Sequence, residues 1–237
     1  MAKPSKIPAT QDLLFGELSR MSGIPFAFLK SLAWHETRFD AHAVSPTNVP
    51  GMFQCTSAVR NMYNKKNGTK WTRDEMFDPY KCGLVACFLL NLIVDEYKQT
   101  GVIKPENFTT FWRSSVDVGL IYLGYTAGWT REQGVPAITG RMREKGVEIT
   151  VPKVIETAGI LYPKSKIYVD PKKRDANGFG PYMSDPSLLP HIDREVTDYF
   201  ANTQVRAEEI RASSFAGAAV AFLGIIAVGA MIANAET

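Results

Sequence analysis

From Leu84 to Val94 the chain presents only one polar side chain, Asn91, and the stretch lies within a helical pattern that opens at Asp78-Pro79 and runs to about Gln99. Asp is a good N-cap, and proline is favoured in the first helical turn. The apolar part is too short to cross a bilayer, which takes about 20 residues. A helix apolar all round must then be wrapped by other elements, and this sets a buried central helix at the heart of the fold. No run of alternating residues requires a sheet beyond a short hairpin, so the expected class is mainly α.

Other helices follow from local signals. Thr10 can cap a first helix with Leu13, Leu14, Leu18 and Met21 on one side and Gly23 beyond its end. Pro25 opens a second, a third is expected from about Thr56 to Asn64, and Thr72 and Glu75 have capping-box spacing. Further helices are expected from Phe111 to Gly128, Pro136 to Lys145 and Pro152 to Leu161. The region 163–190 holds Pro163, Pro171, Pro181, Pro186 and Pro190 and reads as an extended connector, with a charged helix at 191–212.

Composition removes several function classes. The 237 residues suffice for one ordinary domain with an extension, and the net charge of +3 is spread too evenly for a nucleic-acid surface. Cys55, Cys82 and Cys87 form no Cys-x-x-Cys pair and are expected to be reduced, and His35, His42 and His191 have no metal-ligand spacing, so neither metal nor cofactor is expected. Residues 1–10 lack the apolar core of a secretory signal. By contrast, 213–235 contains no charged residue and is long enough for a transmembrane helix, with small residues four apart at Ser213, Gly217 and Ala221. The competing reading is a buried terminal helix of a soluble domain.

The chemistry centres on Glu36. Apolar side chains recur at Leu29, Leu32 and Ala33, and the next step of that spacing lands on Glu36. A helix here sets a carboxylate on its own buried face, where glutamate almost never lies without a partner or a task. Desolvation raises a carboxyl pKa toward the range useful to a general acid. A Glu at a helix end can equally turn outward or pair with Arg38.

Nine residues after Ser45, at Gln54, the pattern is complete: Glu36-Thr-Arg-Phe39-Asp-Ala-His-Ala43-Val-Ser45, then Gly51-Met52-Phe53-Gln54. With Asp78-Pro79 and Tyr125-Thr126-Ala127-Gly128 it resembles the soluble lytic transglycosylase family, lysozyme-like enzymes related to goose-type lysozyme that cleave peptidoglycan glycan strands. The resemblance covers 24–128. Thr37, Asp40-Ala41, Asn48-Val49 and Met52-Phe53 depart from the family's usual residues, and Thr126 stands where the family has Asn.

The resemblance implies a lysozyme-like catalytic domain over 1–162, followed by the connector 163–190, a juxtamembrane stalk 191–212 and a single transmembrane helix 213–235. It implies that Glu36 is the one catalytic acid/base, since Asp40 is a poor second carboxylate. Ser45, Gln54 and Tyr125 would bind or position the substrate, and Met52 and Phe53 would line the cleft. For most of Trp34, Trp71, Trp112 and Trp129, core packing is expected ahead of sugar stacking. The expected partners are peptidoglycan glycan strands, a lipid bilayer through 213–235 and other virion or envelope proteins, with no nucleic acid. The architecture resembles wall-degrading proteins of bacteriophage particles, placed in a virion membrane or bacterial inner membrane and acting on periplasmic peptidoglycan. The alternatives are a goose-type muramidase and a non-catalytic membrane structural or assembly protein built on a degenerate lysozyme-like domain.

Overall fold

The computed structural model describes residues 7–131, 134–161 and 189–204. The chain divides into two compact units, Met1–Tyr199 and Phe200–Thr237, and of the second only 200–204 are described, as helix. The first unit is helical: α1 Asp12–Ser22, α2 Phe26–Thr37, α3 Ser57–Asn67, α4 Pro79–Gln99, α5 Ser115–Ala127, α6 Val135–Glu144 and α7 Val151–Leu161. Residues 189–199 of a last helix are called α8. Among the described residues the one β pairing is an isolated antiparallel bridge, Val44 to Pro50.

The central helix forms where its caps dictate. Asp78 Oδ1 accepts from the backbone N–H groups of Tyr80 at 2.9 Å and Lys81 at 3.2 Å, and Pro79 begins α4. Cys82, Val85, Ala86, Leu90 and Ile93 are fully buried along it. Its Tyr97 is buried too, and its hydroxyl is satisfied by donating to Leu120 O on α5 at 3.1 Å. Around α4 the core is aromatic: Phe28 of α2 stacks on Tyr122 of α5 with ring centroids 4.1 Å apart, and Trp112 closes edge-on at 5.0 Å. Each such ring contributes about 1.5–3 kcal/mol by leaving water.

Local signals misplace the first helix slightly. Gln11, in left-handed conformation and without a side-chain bond, takes the N-cap position expected of Thr10. The buried face is Phe15 and Leu18, while Leu13 is 92% exposed and Met21 51%. Phe15 decides the rotation, because it packs edge-on against Phe26 and Phe53, at 6.3 Å from each, and beside Phe39 at 5.3 Å. Three aromatic neighbours outweigh one leucine. Lys30 of α2 is buried nearby and neutralised by Asp12 Oδ1 at 2.8 Å.

The expected helix from Phe111 is split. A short 3-10 turn, Phe111–Arg113, precedes Ser114, whose hydroxyl accepts from Asp117 N at 3.2 Å and starts α5. Ser, a strong N-cap, wins over helix continuation at that point.

Among the described residues no helix is long and apolar enough to cross a membrane. The span expected at 213–235 and the connector from 163 to 188 lie outside the described residues.

Candidate active site

Helix α2 ends abruptly, and the ending builds the site. Arg38 and Phe39 both have positive φ, 57° and 68°, and the chain reverses after Thr37. Such conformations cost non-glycine residues about 1 kcal/mol or more each, so packing must enforce them. Phe39 is held between Phe15 and Trp34, and Arg38 folds back, donating to Trp34 O at 2.9 Å with its guanidinium 4.6 Å above the Trp34 ring. Arg38 is therefore committed to Trp34 rather than to Glu36.

The following loop closes on itself. Ser45 N donates to Val49 O, and Ser45 Oγ accepts from Val49 N at 3.0 Å and contacts Thr47 Oγ1 at 3.1 Å. Gly51, at φ 90°, then threads under the 3-10 turn Asp74–Phe77, where a Cβ would run into the Met76 carbonyl oxygen. Only glycine fits this crossing.

The turn after Gly51 is tied from both sides. Thr37 Oγ1 at the end of α2 donates to Met52 O at 2.9 Å, and Tyr125 Oη on α5 donates to Phe53 O at 2.6 Å. Gln54, with φ 52°, donates from Nε2 to Gly51 O at 2.8 Å. The three sequence blocks around Glu36, Gly51–Gln54 and Tyr125 thus converge on one backbone turn. Ser45 is placed apart from this convergence: its hydroxyl is spent within its own loop. Met52 and Phe53 are 0% exposed, so their side chains back the turn from inside and offer no surface to a ligand. Gln54 and Tyr125 keep intermediate exposure.

Glu36 sits beside this turn, near enough for its charge to raise the proton affinities of Cys55 and Tyr125. Among the described residues its carboxyl has no hydrogen bond and no ion pair, and burial pushes its pKa up to about 7. The residue as a whole keeps intermediate exposure, so the carboxyl is crowded by protein without being sealed off. A group that holds its proton to near neutrality and retains access to solvent can protonate a bound oxygen and later take a proton back.

Cys55 was invisible to sequence reasoning as a site neighbour. Its Sγ lies 3.4 Å from Tyr125 Oη, and contact with the Cys82 thiol, then burial, pushes its own thiol pKa up. Thr126, at the family's Asn position, has a buried hydroxyl without a hydrogen-bond partner.

The back of α2 is covered by α8. His35, adjacent to Glu36, meets Asp198 with Nε2 to Oδ2 at 2.8 Å, Ser31 Oγ donates to Glu195 O at 3.2 Å, and Tyr199 Oη donates to Trp112 O at 2.8 Å. The charged helix expected from 191 onward thus turns a buried face, Ile192, Glu195, Asp198 and Tyr199, onto the catalytic fold. That i, i+3, i+7 spacing was a sequence signal, masked by the charges on it.

A helical bundle around one apolar helix, with an unpaired carboxyl of near-neutral pKa at the broken end of another, defines a lysozyme-like domain. The chain belongs to the Transglycosylase SLT domain family, whose model matches residues 14–140, more than half of its length. Members of that family are lytic transglycosylases acting on peptidoglycan, and this chain is an enzyme of that kind. No curated protein matches it.

Proposed function

We propose that the enzyme cleaves the β-1,4 bond between N-acetylmuramic acid and N-acetylglucosamine and closes a 1,6-anhydro ring on the muramic acid, with Glu36 as sole acid and base. Glu36 gives its proton to the glycosidic oxygen, the bond from muramic C1 to that oxygen breaks, and N-acetylglucosamine leaves with a free C4 hydroxyl. The substrate's acetamido oxygen supports the cation at C1. The Glu36 carboxylate then takes the proton of the C6 hydroxyl as O6 bonds to C1, which restores the acid without water. Gln54 and Tyr125, at the edge of the turn, would contact or position the glycan, and Ser45 would contribute through its loop. The observation that carries this reading is the unpaired Glu36 carboxyl with its pKa near 7. Mass spectrometry of digested peptidoglycan is expected to show anhydro-muramic ends, one water lighter than hydrolysis products. Reducing muramic ends alone would assign a goose-type muramidase, and an inert protein on peptidoglycan zymograms a structural role.

The acid form of Glu36 is present below about pH 7, so activity is expected to fall as pH rises through that value. The same shift has a stability sign. The folded protein holds this proton up to about 7 whereas an unfolded glutamate releases it near its ordinary 4.5, so the unfolded state binds fewer protons between the two. Stability is expected to decline as pH rises across that window, an effect that melting curves of wild type and Glu36→Gln will separate.

We further propose that the enzyme is anchored through 213–235 in a virion membrane or bacterial inner membrane and opens periplasmic peptidoglycan locally during entry of a phage genome. The charge-free segment supports this, because a helix satisfies its own backbone in hydrocarbon. Truncation after Arg211 is expected to yield an active enzyme that no longer sediments with membranes. Release of the full-length protein by alkaline carbonate would show that the segment does not span.

A further inference from the structure

The Glu36 carboxyl is aimed without help of its own. Among the described residues it has no hydrogen bond and no ion pair, so its direction is set by the turn of α2 that carries it. That turn is the last of the helix. It runs straight into Arg38 and Phe39, both left-handed, and no further helix backs it.

The two residues flanking Glu36 supply what the turn lacks. Thr37 Oγ1 donates to Met52 O at 2.9 Å and ties the turn to the Gly51–Gln54 segment. His35 Nε2 meets Asp198 Oδ2 at 2.8 Å and ties it to α8. The second tie is dry, with side chains 5% and 2% exposed, and a directional bond is stronger where water is excluded. Burial lowers the His35 pKa, so the ring is neutral, and because a carboxylate only accepts, Nε2 is the nitrogen that carries the proton. The His191 ring packs edge-on against it at 5.9 Å. Four residues earlier, Ser31 Oγ donates to Glu195 O at 3.2 Å, so α2 and α8 are pinned at two successive turns. Asp198 lies beyond residues 14–140, the part of the chain that matches the family model.

We propose that Asp198 is a positioning residue for the reaction: through His35 it holds the last turn of α2, and with it the Glu36 carboxyl, in line with the glycosidic oxygen. Burial keeps Asp198 from touching substrate, so it acts only through this bond. The demand on orientation is high, because one carboxyl serves two proton transfers at two different oxygens, and a misplacement of about 1 Å can cost on the order of 10²-fold in rate. The proposal rests on Glu36 being the catalytic acid.

The test uses the full-length enzyme on soluble, uncrosslinked glycan strands, well below melting, with rates normalised to the folded fraction. Asp198→Ala is expected to lower kcat about tenfold or more while KM stays within about twofold. Asp198→Asn still offers an oxygen to Nε2–H and is expected to return kcat to within about threefold of wild type. Tyr199→Phe is the control for a merely structural role. It deletes another bond of α8, to Trp112 O at 2.8 Å, and is expected to lower the melting temperature with kcat unchanged. Wild-type kcat in Asp198→Ala, an Asn variant as slow as Ala, or an equal loss of kcat in Tyr199→Phe would each overturn the proposal. Should Asp198→Ala not fold, the double variant His35→Phe/Asp198→Leu replaces the pair by apolar packing, which is often neutral for stability, and full kcat there would overturn it equally. The His35 Nε2–H proton, seen by NMR in wild type and in Glu36→Gln, reports the bond independently of activity. An active Glu36→Gln that keeps this signal would overturn the acid assignment while leaving the bond in place.

Discussion

Glu36→Gln should be all but inert on bacterial walls while melting at or above the wild-type temperature. The amide occupies the same volume but has no proton to give, and general acid–base catalysis alone is worth roughly 10²–10⁴-fold. Here one group serves both half-reactions, so the loss should reach at least the upper part of that range. Nothing in the fold relies on the carboxylate, since among the described residues it makes no hydrogen bond or ion pair and burial only penalises its charged form. Turbidity loss of purified walls gives the activity and calorimetry the stability. A variant with more than about a tenth of wild-type rate would remove Glu36 from the chemistry, because a tenfold effect is too small for the sole proton donor. A sharp drop in melting temperature would mean that the residue is structural.

Removing α8, by ending the chain before residue 189, is expected to be nearly as damaging for a different reason. The cut takes away Tyr199, which packs 5.9 Å from Phe28 and bonds Trp112 O, together with Ile192, which is 1% exposed. It also leaves His35 without Asp198 and Ser31 without the Glu195 carbonyl. Losing one large buried side chain typically costs about 2–5 kcal/mol, and two are lost here with three hydrogen bonds, against a total stability of about 5–15 kcal/mol. The truncated protein should melt tens of degrees lower or accumulate insoluble. A chain ended after Arg211 keeps α8 and should melt like the parent. Equal melting of both truncations would show that α8 lends the catalytic fold no stability.

Much of the fold was legible where a local cause dominates. Asp78-Pro79 starts α4, Thr56 caps α3 through Val59 N at 3.5 Å, and Gly23 and Gly68 end their helices with positive φ. Leu29, Leu32 and Ala33 are all buried, as their spacing with Glu36 required. What local pattern could not supply was the choice among faces. Leu13 looked like a core residue until Phe15 found its aromatic neighbours from two other segments. In the site, the relation of Glu36 to Gly51 and Gln54 could be read from spacing, but the meeting of Tyr125 with Phe53 spans 72 positions. Glu195 lies further still from Ser31, 164 positions, on a helix whose charges suggested a solvated stalk. No periodicity reports a contact between segments so far apart.

The bond from Ser31 to the Glu195 backbone has a consequence for how the enzyme comes into being. A ribosome adding about 5–20 residues per second exposes Glu36 and its turn many seconds before α8 leaves the exit tunnel. Until then the nascent chain has α2 with its back uncovered, and His35, next to Glu36, has no Asp198 to bond. Contacts this distant along the chain also close late and slowly, because loop closure must precede the gain from packing. The fold that carries the acid is thus completed only when α8 docks, and a ribosome-bound fragment ending before it lacks the bonds that α8 makes with Ser31 and His35.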